Sequence, residues 1–133
     1  MIVQSSEFRV QKEGNVRSFQ DLLAWKKSID LVKPIYKLTS KFPKSEDFNL
    51  TSQIRRATIS VSSNIAEGSS RKSKQEFIRF LNVSYGSLSE IESQLLVSKE
   101  LEYLSDKELK EIFNKTSEIG KIINGLIESL RSN

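Results

Sequence analysis

The chain contains no cysteine and no histidine. Without cysteine there is no disulfide, no thiolate nucleophile and no thiolate-ligated metal. Without histidine the commonest metal ligand and the usual general base near neutral pH are missing as well, so a zinc site and a Ser-His triad are excluded by inventory. Only two prolines and five glycines occur in 133 residues, which favours long helices over many short strands joined by turns. No apolar run approaches the roughly 18 residues that span a bilayer. The opening stretch, Met1 to Val16, lacks the basic and apolar regions of a signal peptide. The expectation is a cytoplasmic, non-enzymatic protein with no metal, no cofactor and no membrane partner.

What is present suffices for one domain around one core, with 37% of the residues hydrophobic. The net charge is +4 and unevenly spread. Residues 55–79 carry six Lys or Arg against two Glu, whereas residues 80–133 carry six against nine acidic residues. A basic segment of this kind suits an anionic partner on one face, and an ordinary solvated surface is the alternative.

Three helix starts are announced by one chemistry. Ser18 with Asp21, Ser73 with Glu76 and Ser105 with Glu108 each place a hydroxyl three residues before a carboxylate, the spacing of a capping box. The first helix is expected over about Phe19–Lys41, with two apolar seams: Leu22, Trp25, Ile29, Val32 and Tyr36, then Leu31, Ile35, Leu38 and Phe42. One seam should face the core and the other a further helix or a second subunit. Pro34 should kink this helix and Pro43 should end it. The second helix is expected over about Asn49–Glu67, its seam formed by Leu50, Ile54, Ala57, Val61 and Ile65, with Gly68 in the left-handed position at its end. The β-branched, hydroxyl-rich run Thr58–Ser63 has poor helix propensity, but the surrounding period decides for helix, and its small residues would let a neighbour approach closely. The third (about Lys74–Tyr103: Phe77, Leu81, Ser84, Leu88, Ile91, Leu95) and fourth (about Asp106–Arg131: Leu109, Ile112, Thr116, Ile119, Ile123, Leu126, Leu130) follow the same rule. Gly86 inside the third suggests close backbone packing. Short connections make the expected fold all-α, an up-down-up-down antiparallel four-helix bundle over residues 18–133, with residues 1–17 a flexible arm.

Two polar groupings stand out. Arg71, Lys72 and Lys74 surround the start of the third helix, where backbone N–H groups already favour anions. Together with Arg55 and Arg56 they form the candidate nucleic-acid-binding set. Arg55 and Arg56 point about 100° apart, with Arg55 the one expected to be exposed. Asn64, Glu67 and Gly68 are expected to make a buried polar knot that fixes the loop and pairs with a nearby arginine. The carboxylates Glu90, Glu92, Glu100, Glu102, Glu108 and Glu111 lack the histidines of a di-iron bundle and are read as surface charge.

Five stretches carry a family resemblance: Phe19-Gln-Asp-Leu-Leu-Ala-Trp-Lys-Lys-Ser28, Tyr36-Lys-Leu-Thr-Ser-Lys-Phe-Pro43, Leu50-Thr-Ser-Gln-Ile-Arg-Arg-Ala57, Asn64-Ile-Ala-Glu-Gly68 and Gly86-Ser-Leu-Ser-Glu90. They resemble the bacterial four-helix bundle proteins first known as products of intervening sequences within large-subunit ribosomal RNA genes. The resemblance implies a four-helix subunit and a ring of five, and related proteins include a basic, nucleic-acid-binding accessory subunit of diversity-generating retroelements. The function expected is a non-catalytic homo-oligomeric scaffold, a homopentamer, binding nucleic acid and RNA rather than DNA. The alternative is an adaptor that docks a partner protein without nucleic acid.

Overall fold

The computed structural model describes residues 19–132. The expected arm, residues 1–17, and the Ser18 cap lie outside the described residues. After a 3-10 turn at Phe19–Asp21, the first rod is built from two short helices, α1 (Leu23–Asp30) and α2 (Val32–Thr39). Three longer helices follow: α3 (Leu50–Ser69), α4 (Lys74–Glu100) and α5 (Asp106–Ser132). With α1 and α2 taken as one rod, the protein is all-α with four helices and, among the described residues, no strand.

The interruption between α1 and α2 falls at Leu31, one turn before Pro34. Pro34 has no N–H to offer the Asp30 carbonyl and its ring presses on that carbonyl. The ladder therefore breaks where the missing bond would have been, and the Leu31 N–H turns to the Ser28 carbonyl at 3.2 Å. Of the two seams on this rod, Leu31, Ile35, Leu38 and Phe42 face the core, together with Leu22. Trp25 is only half-buried, packed edge-on against Phe19 at 5.1 Å, and Ile29 is exposed. The predicted seams of α3 and α4 are buried throughout, as is that of α5 except for half-buried Leu109.

Two of the predicted caps form. Ser105 Oγ accepts from the Glu108 N–H at 3.1 Å while the Glu108 carboxylate accepts from the Ser105 N–H at 2.9 Å, a complete capping box. Ser73 Oγ accepts from the Glu76 N–H at 3.1 Å, but the Glu76 carboxylate turns outward to Arg79. At the other end of α4 the chain leaves through Glu102, which adopts φ 65°. The Tyr103 N–H then reaches the Ser98 carbonyl and the Glu102 N–H the Lys99 carbonyl, both at 2.9 Å, the paired bonds of a Schellman ending.

The tightest seam joins α3 to α4, and small residues make it so. Ser84 Oγ donates to the Val61 carbonyl at 2.7 Å and Ser87 Oγ to Ser60 Oγ at 2.9 Å, helix touching helix through hydroxyls. The run Thr58–Ser63 is helical, and it does let its neighbour approach closely. Neither glycine has the role expected of it. Gly68 lies inside α3 and is buried; a Cβ there would meet Phe80 Cβ at 2.7 Å and Phe77 Cδ1 at 3.0 Å. Its job is close approach, not a left-handed ending. Gly86 has nothing within 4 Å of its would-be Cβ, so no helix packs on it within the subunit.

The loop end of the bundle is held by two carboxylates. Glu46 accepts from the Tyr103 hydroxyl at 2.9 Å, from Asn49 Nδ2 at 3.1 Å and from the Leu50 N–H at 3.3 Å. It thus caps α3 and ties it to the α4–α5 turn, where the rings of Phe42 and Tyr103 lie 5.3 Å apart. Glu108 pairs with Lys41 across α5 and the end of α2.

Two predictions follow from this packing. Gly68→Ala should destabilise the fold by about 1–2 kcal/mol, overpacking outweighing the helix propensity it gains, whereas Gly86→Ala should stabilise it by about 0.5–1 kcal/mol. Chemical denaturation of the two variants would show opposite shifts in midpoint. The Tyr103 hydrogen bond holds the Glu46 carboxyl below its ordinary value, and the Lys41 ammonium does the same for Glu108. A depressed carboxylate contributes stability above its unfolded pKa, about 4.3, and loses it as pH falls through the folded one. Thermal midpoints should therefore drop on acidification below about pH 4.5, and the drop should be smaller in Glu46→Gln.

Candidate nucleic-acid interface

The turn Ser70–Ser73 brings the end of α3 against the start of α4, and here the predicted basic cluster assembles. The Arg71 guanidinium pairs with Glu67, one turn back, and lies over the Phe80 ring at 4.9 Å. Arg79 lies over the same ring at 4.4 Å and is tied to Glu76 at 3.1 Å. Two guanidiniums thus share one half-buried phenyl ring, fixed because its Cβ rests against Gly68. Lys72 is exposed and Lys74 half-buried beside them. The bond to Arg79 holds the Glu76 carboxyl below its ordinary value and raises Arg79 in turn.

Four cations therefore stand against two carboxylates around a helix N-terminus. Exposed ion pairs of this kind contribute about 0–1 kcal/mol each. Arg79 and Phe80 were not picked out from the sequence. The available signal was the spacing Glu76–Arg79, which holds the guanidinium near the helix start, with an aromatic at the next position.

Arg55 and Arg56 part company, in the opposite sense to that expected. Arg55 is half-buried: its Nε donates to Thr39 Oγ1 at 2.9 Å, its Nη2 to the Tyr36 carbonyl at 3.2 Å, and its guanidinium lies 4.4 Å from the Tyr36 ring. The Tyr36 carbonyl, in the last turn of α2, also accepts from the Ser40 N–H at 3.0 Å, and a cation there suits the helix dipole, so Arg55 serves to join α2 to α3. Arg56 is the exposed one. It lines a groove of about 410 Å³ between α3 and α4 with Phe48, Gln53, Ser60 and Glu90. Twelve residues of helix separate it from Gly68, about 18 Å, so it does not share one pocket with Arg71.

The expected polar knot is divided. Glu67 is exposed and takes Arg71 as its arginine. Asn64 is half-buried and turns back along α3, donating to the Ser60 carbonyl at 2.8 Å and Ser60 Oγ at 2.9 Å. Gly68 contributes only the close approach to Phe77 and Phe80. Among the six carboxylates read as surface charge, Glu92 is half-buried and accepts from Thr116 Oγ1 at 2.6 Å, bridging α4 and α5. Among the described residues no three acidic groups converge as a cation site, and no helix is long and apolar enough to cross a membrane.

No curated protein matches the chain. Among solved structures, it is similar to a protein of unknown function from the S23 ribosomal protein family of Bacteroides thetaiotaomicron. The two share 27% sequence identity and a TM-score of 0.71, over 79% of this chain and 98% of that one. The model of the 23S rRNA-intervening sequence proteins matches residues 20–125, which takes in the whole of α1 to α4 and most of α5, and the chain belongs to that family.

Proposed function

We propose that the protein is a non-catalytic cytoplasmic scaffold, an up-down-up-down bundle that assembles into a homo-oligomeric ring and binds structured RNA, ribosomal RNA foremost. The ring of five comes from the family resemblance. The observation that carries RNA binding is the cluster of Arg71, Lys72, Lys74 and Arg79 about the N-terminus of α4. Phosphates would be held by charge and by the helix end, so affinity would be salt-sensitive and largely indifferent to sequence. Arg56 would meet the same strand farther along, and Arg55, engaged within the scaffold, would not. A second reading has one observation in its favour: Leu96 and Val97 near the end of α4, and Leu101 just after it, are exposed apolar side chains, which suits an adaptor for a partner protein.

The test is a salt titration of binding to a structured ribosomal RNA fragment, with duplex DNA as competitor. Arg71→Ala, Lys72→Ala and Arg79→Ala combined should lower affinity at least 10-fold at physiological salt. The slope of log K against log salt should fall by about 2–3, one unit per lost phosphate contact. Arg55→Ala should instead cost about 1 kcal/mol of stability through its lost hydrogen bonds to α2 and leave the salt slope alone. An unchanged slope in the triple variant would sink the site, and indifference to RNA at low salt would favour the adaptor.

A further inference from the structure

Phe48 is 99% exposed, yet the loop carrying it is held firmly. The Asp47 N–H bonds the Lys44 carbonyl and the Asn49 N–H the Glu46 carbonyl, both at 3.0 Å, and the Glu46 carboxylate is tied to Tyr103. An apolar ring presented on a fixed loop has lost its ordering entropy in advance and keeps its full hydrophobic gain for a partner. Elsewhere on the subunit a hollow combines apolar with charged lining. It is a groove of about 610 Å³ between α2 and α5, with Pro34, Leu38 and Ile112 at its base. Lys37, Lys41 and Lys115 stand along it, as do Glu108, Glu111 and Glu118.

The placement of the two features selects the occupant. The first rod packs on α3 and α5, α3 on α4, and α4 on α5. The α3–α4 seam, where Phe48 lies, is therefore the edge opposite the α2–α5 seam, where the groove lies. Both sit at one end of the bundle, since Phe48 belongs to the connection between α2 and α3, and the groove is made by the last turn of α2 and the first turns of α5. A knob on one edge and a hole on the opposite edge at the same height form a heterologous contact, which makes a ring when its rotation closes.

We infer that the α2–α5 groove of each subunit receives Phe48 from a second copy of the chain. Asp47 of the incoming loop then meets the lysines of the groove, and Lys44 meets its glutamates. This rests on the oligomeric part of the proposed function and assigns its interface.

Mass by light scattering on the full chain tests it, with the unaltered protein measured first. Phe48→Glu alters only an exposed side chain, so helicity and thermal midpoint should be kept. The concentration for half-assembly should rise roughly 100-fold, as for loss of a central aromatic anchor. Because the chain has no cysteine, Asp47→Cys and Asn114→Cys, both at exposed positions, can be mixed and oxidised. The expected product is a disulfide between the two different variants. Multimers that survive Phe48→Glu, or cross-links only between like variants, would overturn this interface while leaving a multimer standing. A monomeric parent would overturn the oligomeric reading itself.

Discussion

The closeness of α3 and α4 governs much of what the surface presents. A Cβ at position 68 would press on Phe80 and Phe77, so the two helices come this close because that position is glycine and the next contacts are hydroxyls. Close packing there fixes Phe80 half in and half out of the surface. Guanidiniums lie on a phenyl ring when the ring is held, because the gain of about 0.5–1 kcal/mol at an exposed site is too small to order both partners from scratch. The positions of Arg71 and Arg79, and hence the charge at the start of α4, trace back to one missing methyl group.

The opposite seam is built on other terms. Pro34 breaks the first rod at Leu31, and α2 meets α5 through a mixed row of lysines and glutamates above Leu38 and Ile112. Ion pairs between long side chains hold helices apart where serines and glycines draw them together. One subunit thus has a closed edge and an open one, and the open edge is closed at its end by Lys41 and Glu108.

The sequence announced whatever depends on a single helix. Capping boxes at Ser73 and Ser105 and the apolar seams of α3, α4 and α5 place those helices within a few residues, because both signals rest on local hydrogen bonds and the 3.6-residue period. What failed depends on which neighbour stands beside a helix. Gly68 reads as a helix ending and Gly86 as a close contact, and only the position of α4 against α3 decides that the space beside the first is filled by Phe77 and Phe80 and beside the second by nothing. Arg55 and Arg56 were separable by about 100°, but which of them met α2 required knowing that α2 lay there. Phe48, between Asp47 and Asn49 in a loop without periodicity, gave no signal at all.

The acidic balance of residues 80–133 sits uneasily with an RNA-binding surface until distance is considered. Glu100, Glu102, Asp106, Glu108 and Glu111 cluster around the α4–α5 turn and the first turns of α5. Arg71, Lys72, Lys74 and Arg79 lie at the other end of α4, a helix of 27 residues and so about 40 Å long. At physiological ionic strength charges are screened over about 8 Å, so the acidic end has almost no influence on a phosphate at the basic one. Net charge is the wrong measure for such a molecule. An extended polyanion aligned along the bundle would be drawn to the basic end and repelled from the acidic one, which favours a track from the α4 N-terminus as far as Arg56 over an embrace of the whole length.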